Sequence, residues 1–362
     1  MKLGNEVVGN ILTCLGTLNT KFTIGVSENP LCFFNDSDNL SIKFKSDSMV
    51  VYIKTIIPWD ISIQEYYIYY NSLLVFKDLD LDITYDNGNI YFRSASLNIV
   101  NKELLDYYFD YSITEDINNL SFCNITNDYD KFYVYFKQLN YTIDRVANTF
   151  SNNIYIDNSN IFTTNKMVAT WIKDSVSQFE NNDHIVIDTS IISIYSNLKN
   201  IKCKDISFIR NTRAFGVYCE TEDLKFYFLH SILNYKFPDF KRVFGKFEYT
   251  NKIQINKNDL LAVIKRLSFF DRSLDSVRFS LKQDSISVSC FSPKSGSFFN
   301  DGFSCISNLD KDVTLEFNIS ISNLFVFLNI DEDIIEIELN KEFGSPFRFI
   351  SDNITKYISI QV

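Results

Sequence analysis

The sequence predicts an α+β protein made of three tandem copies of one domain, each with two helices packed on antiparallel sheets. Three observations carry this. A short apolar strand, a polar or proline break and an amphipathic helix of about three turns recur at residues 50–57 then 62–74, 184–187 then 189–198, and 313–317 then 320–328. The helix starts Ser62, Thr189 and Ser320, all plausible N-caps, lie 127 and 131 residues apart, each close to a third of the 362-residue chain. Self-similarity at a fixed period marks repeated domains, and a second amphipathic helix lies upstream of each segment.

In the first copy, Val8, Ile11, Leu12 and Leu15 form an apolar stripe with a nearly uncharged outer face. Asp86-Asn87-Gly88-Asn89 between 81–85 and 90–93 signals a hairpin, since Asn-Gly supplies the positive φ angles of a type I′ turn. Asp78, Asp80 and Asp82 read as alternate carboxylates on a solvated edge strand, because the glycine and terminal glutamate of a calcium loop are missing. In the second copy Phe136, Leu139, Ile143, Val146 and Phe150 make the stripe, leaving Lys137, Asn140, Tyr141, Asp144 and Arg145 on the other side. In the third, Leu260, Leu261, Ile264 and Leu267 face inward while Lys257, Lys265 and Arg266 point away. Alternation then marks strands at Ile334, Ile335, Ile337 and Leu339, and at Tyr357, Ile358 and Ile360. Boundaries are expected near Asn127 and Gly245, giving domains 1–127, 128–245 and 246–362.

Composition narrows the function. Hydrophobic residues are 46% and charged residues 22%, ample for cores and unlike a disordered chain. No long apolar run suggests a membrane span. Residues 1–18 hold Glu6 and Asn10 among scattered apolar positions, unlike a signal peptide, so a cytoplasmic protein is expected. A net charge of −10 disfavours a surface that covers nucleic acid tightly but permits a local basic face. Seven cysteines, with no C-x-x-C pair, encode no zinc site or disulfide framework at recognisable spacing. No glycine-rich phosphate loop, G-x-S-x-G elbow or H-E-x-x-H occurs, and His184 and His230 read as structural. An enzyme has no positive support, and no cofactor or metal is expected.

At the junction of the second and third copies the chain reads Phe237-Pro238-Asp239-Phe240-Lys241-Arg242-Val243, which resembles the F-P-D-Y-x-R-V segment of the bacterial-type DNA polymerase sliding clamp, the β subunit of the replicative polymerase. Residues 161–169, Ile-Phe-Thr-Thr-Asn-Lys-Met-Val-Ala, fall where that family carries V-A-T-D-G-H-R-L-A. Asn258-Asp259-Leu260-Leu261 through Lys265-Arg266, then Ser276-Val277-Arg278-Phe279, resemble its D-L-L-x-A-hydrophobic-x-R-hydrophobic helix and G-V-R-L strand. The Tyr357-to-Val362 end falls where the family has Y-V-V-M-P-M-R-L. The resemblance spans roughly residues 130–362; in the first third only the helix and strand pattern matches.

The resemblance implies three clamp-type domains per chain, with helices on an inner face, and a homodimeric ring around duplex DNA that holds it by topology. Pore candidates on or just beyond the polar sides of the inner helices are Lys137, Arg145, Lys199, Lys257, Lys265 and Arg266. The resemblance also implies a pocket for linear motifs of the replicative polymerase and clamp loader. It carries over Thr163, Asn165, Lys166, Met167, Val168, Pro238, Arg242, Val243, Pro346, Ile358, Ser359, Ile360 and Val362. Departures are Asn165-Lys166-Met167 for G-H-R, and Ser359-Ile360-Gln361-Val362 for V-M-P-M with the final two residues absent. Phe269-Phe270 lie where family clamps place apolar dimer-interface residues. Two alternatives stay open: a clamp-like accessory factor for transcription or repair without ring closure, and an interaction protein of repeated α+β domains that binds no nucleic acid.

Overall fold

The computed structural model describes residues 1–16, 30–45, 49–102, 117, 119–140, 142, 153–157, 160–165, 167–173, 184–236, 239–270, 276–324, 332–340 and 346–359. Through them one order, strand, helix, three strands, recurs six times, twice per copy. The first copy runs β1 (Lys2–Leu3), α1 (Asn5–Gly16), β2 (Pro30–Asp36), β3 (Asn39–Lys45), β4 (Met49–Pro58), then β5 (Glu65–Tyr69), α2 (Tyr70–Leu74), β6 (Leu81–Asp86), β7 (Asn89–Arg93) and β8 (Asn98–Lys102). The second runs β9 (Ser121–Asn124), α3 (Tyr129–Asn140), β10 (Asn153–Asp157), β11 (Asn160–Thr164), β12 (Val168–Ile172), then β13 (Ile185–Asp188), α4 (Ser190–Leu198), β14 (Asp205–Arg210), β15 (Ala214–Glu220) and β16 (Leu224–Ser231). A short helix, α5 (Phe240–Phe244), precedes the third: β17 (Asn251–Asn256), α6 (Lys257–Phe270), β18 (Ser276–Leu281), β19 (Ser285–Ser292), β20 (Ser297–Ser307), then β21 (Leu315–Ser320), α7 (Ile321–Leu324), β22 (Ile334–Leu339), β23 (Phe347–Ser351) and β24 (Ile354–Ile358). Because β9 pairs with β14, it belongs with the strands after it, slightly upstream of the expected Asn127 boundary.

The chain divides into two compact units, Met1–Lys137 with Ile185–Asn234, and Gln138–His184 with Tyr235–Val362. In the first unit, α1 buries Val8, Ile11, Leu12 and Leu15 as its 3.6-residue period requires, together with Cys14. Asp80 Oδ1 accepts the Asn5 N–H at 2.8 Å, satisfying one free amide of the first helical turn. Thus Asp78 and Asp80 are not strand residues, and β6, which carries Asp82, lies between β1 and β7 and is not an edge. Asn87 and Gly88 take φ of 50° and 76° in the β6–β7 turn, as the Asn-Gly pair predicts.

The helix expected over 62–74 is instead β5 followed by the single turn α2. Tyr66 and Ile68, two residues apart, are buried because they pair with Phe33 and Leu31 of β2, and Tyr66 stacks on Phe33 at 5.0 Å. Ser62 therefore caps nothing. Thr189 does precede α4 but makes no side-chain cap; Asp188 Oδ1 accepts the Ser190 N–H instead. Ser320 ends β21, and α7 is described only to Leu324. Of the expected 136–150 stripe, Phe136 and Leu139 are buried on α3, while Ile143, Val146 and Phe150 lie outside the described residues.

His230 is wholly buried in β16, its Nδ1 3.3 Å from Ser190 Oγ. Burial holds its imidazole down at about 4, against the pull of the Asp188 carboxylate. An unfolded chain takes up this proton below its ordinary value near 6.5 while the folded chain refuses it. Its contribution is therefore fully present above about pH 6.5 and is lost as pH falls toward 4, about 3 kcal/mol in all. His230→Leu should remove that part of the acid sensitivity in urea melts; an unchanged pH slope would assign it elsewhere.

In the second unit, α6 buries Leu260, Val263, Ile264 and Leu267 against a core that includes Ile253, Val277, Val288, Ile335 and Phe347. Two pairings join successive copies: β4 with β16 in the first unit, Val51 opposite Phe228, and β12 with β24 in the second, Val168 opposite Ile358. In each, the last strand of a copy's first half pairs with the last strand of the next copy's second half.

Candidate partner-peptide and nucleic-acid surfaces

The segment Phe240 to Phe244 is helical because Asp239 caps it, its Oδ1 accepting the Arg242 N–H at 2.9 Å. The register places Tyr155, Phe162, Trp171 and Tyr357, from four successive strands, on one face of the sheet, since directly paired residues point to the same side. Helix α5 lies on that face through its aromatics. Phe240 stacks on Phe162 and meets Tyr155 edge-on, and Phe244 stacks on Tyr357 at 3.9 Å.

Beside this slab is a cleft of about 340 Å³ lined by Asp157, Asn160, Trp171, His184, Asp239, Phe240 and Lys241. Its wall is pre-set: Trp171 Nε1 donates to Asn160 Oδ1 at 2.7 Å, and Asn160 Nδ2 donates to the Asp157 carboxylate at 2.8 Å. A rigid aromatic wall with a few polar groups suits a peptide side chain.

The opposite face is closed. Thr170 and Thr142 share a hydroxyl hydrogen bond, and the buried Lys356 Nζ donates to Gln138 Oε1 at 2.5 Å. Burial brings the Lys356 amine down to about 7, with Glu332 opposing.

The residues carried over for the pocket divide between these faces. Val168 and Ile358 are 2% and 0% exposed and belong to the core on the closed face, so they support the strand junction rather than line an open groove. Thr163 is likewise buried, donating to Asn153 O at 3.1 Å. Asn165 Oδ1 accepts the N–H groups of Met167 and Val168, an Asx turn that closes β11 onto β12 and accounts for Asn where the family has Gly. Met167 and Val243 are the exposed apolar members, Arg242 is exposed and Pro346 half-buried, and Ser359 N–H donates to Met167 O at 2.7 Å. Lys166, Pro238, Ile360 and Val362 lie outside the described residues. Sequence reading missed Trp171, Asp157 and Asn160; the alternation of 155, 157, 160, 162 and 171 was their only signal.

Among the pore candidates, Lys137, Lys199 and Lys265 are exposed and Lys257 half-buried. Lys199 Nζ lies 5.0 Å from the Tyr133 ring, one turn before Lys137. Arg266 is engaged, its Nε 2.5 Å from Asp301 Oδ2, which lessens its charge toward an outside anion. Arg145 lies outside the described residues. Lys131, exposed on α3, was missed because the sequence stripe placed the helix start later.

Phe269 is 73% exposed and Phe298 of β20 is 69% exposed, whereas Phe270 packs on Phe299 within its own unit. Phe270 is therefore in part an internal contact. Among the described residues there is no group of three or more His, Cys, Asp or Glu able to hold a metal, and no helix long and apolar enough to cross a membrane.

No family model matches the sequence, and no curated protein does. Solved structures do. DNA polymerase III subunit beta from Pseudomonas aeruginosa superposes with a TM-score of 0.80 at 12% identity, covering 100% of this chain and 99% of that one. The chain has the bacterial sliding-clamp fold. Caulobacter crescentus pol III beta gives 0.82 at 11% identity over 100% and 99% of the two chains. The Borrelia burgdorferi subunit, solved in complex with a natural product, gives 0.75 at 14% over 100% and 98%. The clamp fold thus extends through the first third, where only the pattern of elements pointed to it.

Proposed function

We propose that this chain is a DNA sliding clamp, a non-enzymatic processivity factor that encircles duplex DNA as a homodimer and tethers a replicative polymerase, and in turn a clamp loader, through a peptide site. The observation that carries this is the unfilled third junction. Strands β4 and β12 pair with β16 and β24, so by the same repeat β20 calls for β8. Among the described residues, β8 is the edge of its sheet and the Ser297–Ser304 stretch of β20 pairs only with β19. A second chain, head to tail, supplies the missing partner at both ends and covers these two edges. Because each contact joins unlike strands, β8 of one chain with β20 of the other, the interface is heterologous, and two copies of it related by a two-fold rotation close a ring.

A closed ring holds DNA without tight contacts, so an overall charge of −10 is compatible with a few inner cations. The deciding experiment is retention on circular and on linear duplex, with loading assisted by the host's loader. A clamp stays on circles and slides off linear ends. Equal retention on both would favour an ordinary DNA-binding protein, and no binding at all would favour the interaction-module reading.

Replacing Lys137, Lys199, Lys257 and Lys265 by Ala should lower the slope of log affinity against log salt for a short duplex by about 3 to 4. Stability should shift by about 0.5 kcal/mol or less per position. An unchanged slope would remove these four from the DNA path.

A further inference from the structure

The cleft beside α5 has a wall whose hydrogen-bond donors are already engaged. Trp171 and Asn160, both more than nine-tenths buried, hold one another: the indole Nε1 donates to Asn160 Oδ1 at 2.7 Å, and Asn160 Nδ2 spans the two oxygens of the Asp157 carboxylate at 2.8 and 3.0 Å. A second carboxylate, Asp239, lines the same cleft with one oxygen on the Arg242 N–H. The fixed groups therefore still offer acceptors, since carboxylate and amide oxygens each take more than one hydrogen bond, beside the rings of Trp171 and Phe240. The other lining residues, Lys241 and His184, are exposed, and the flexible stem of Lys241 turns outward at little cost. Lys173 Nζ, 4.7 Å from the centroid of the Trp171 ring, is a resident example of a cation held by that ring.

We propose that this cleft binds an arginine side chain of the partner peptide. The source of that side chain rests on the peptide reading above; its chemistry does not. A guanidinium has five N–H donors and no acceptor, its planar fork matches a carboxylate, and its plane packs on aromatic rings. Asn160 orients Asp157 beforehand, so little ordering is left to be done on binding. The volume of about 340 Å³ is near the lower end of ligand pockets and suits one long side chain rather than a folded segment.

The geometry also gives a spacing. Phe240 lines the cleft and the exposed Val243 lies three residues further along α5. Three helical residues rise about 4.5 Å, which one or two residues of extended peptide cover at about 3.3 Å each. The arginine is therefore expected one or two positions from the peptide's apolar anchor.

The test is calorimetric titration of the polymerase's C-terminal peptide, in copies carrying Arg or Glu at those positions, against the unaltered chain and Asp157→Asn. The better Arg copy should bind the unaltered chain about tenfold more tightly than its Glu counterpart, and the ratio should fall below about threefold in Asp157→Asn. A ratio unchanged in the variant would assign the preference to the overall charge of −10, and equal binding of both copies to the unaltered chain would leave no cationic subsite; either result overturns the proposal. N-acetylarginine methylamide is a probe that needs no peptide site. At millimolar concentration it should shift the NMR signal of the Trp171 indole N–H, and N-acetylglutamate methylamide should not. If no peptide copy binds while the arginine amide shifts Trp171, the peptide reading fails and the cleft's chemistry stands. If the copies bind alike and the arginine amide leaves Trp171 unmoved, the peptide reading stands and the arginine site fails. The amide measurement on the unaltered chain decides even if Asp157→Asn misfolds.

Discussion

Replacing both Phe269 and Phe298 by Asp is expected to convert a two-chain ring into single chains that no longer stay on circular DNA. Both rings are largely exposed, at the end of α6 and on the free stretch of β20. Burying each contributes about 1.5–3 kcal/mol, so removing both weakens each of two identical interfaces by about a hundredfold or more. Carboxylates buried there without partners add to the loss. Phe270 is left in place because it stacks with Phe299 at 5.4 Å, and changing it would confuse unfolding with dissociation. The check is mass in solution beside a thermal melt: half the mass with an unchanged melt is expected. A variant that keeps the full mass would move the interface elsewhere. If the unaltered chain is already single at micromolar concentration, closure depends on DNA or a loader.

Phe240→Ala is expected to cost about 3 kcal/mol of stability and most of the affinity for a polymerase-derived peptide. Phe240 covers Phe162 and also forms a wall of the cleft beside Trp171, so its loss opens a void and removes part of the binding surface. Phe-to-Ala changes in cores cost about 3–5 kcal/mol, and Phe240 is only half-buried, which sets the lower end. Asp239→Ala separates the two effects. It loses a helix cap, about 1 kcal/mol, and keeps the aromatic wall. Titration of peptides from the C-terminal segment of the polymerase should show a large loss for Phe240→Ala and a smaller one for Asp239→Ala. Deletion of residues 359–362 should also weaken binding, because Ser359 ties the tail to Met167. Binding untouched by all three changes would place polymerase contact on another surface.

The site was legible in part. Phe237 to Val243 was legible through its resemblance to the family's F-P-D-Y-x-R-V segment, and the structure adds a local role for its Asp, Asp239 accepting the N–H of Arg242 three residues on. Trp171, Asp157 and Asn160 were not, because nothing local says that β10, β11 and β12 present one face together. Val168 and Ile358 were identified as apolar but assigned to the groove, since residue type does not distinguish the two faces of a strand whose partner is unknown.

What the sequence determined by itself was period and local chemistry: the threefold spacing, the buried stripe of α1, that of α6 apart from Leu261, whose place in the core Val263 takes, and the Asn87-Gly88 turn. The stripes and the turn depend on residues within a few positions of one another, so helix period and turn geometry reach them directly, and the threefold spacing is the recurrence of such local patterns along the chain. The tertiary structure decided partners and sides. It turned residues 65–69 into a strand because β2 offered Phe33 and Leu31 to Tyr66 and Ile68, and an apolar pair two apart reads equally well in a loose helical stripe. It joined β12 to β24 across most of two copies and brought Lys356 onto Gln138, 218 residues away in the chain. Strand pairing is satisfied by backbone groups that every residue carries, so a single sequence specifies that a strand exists far more strongly than which strand will lie beside it.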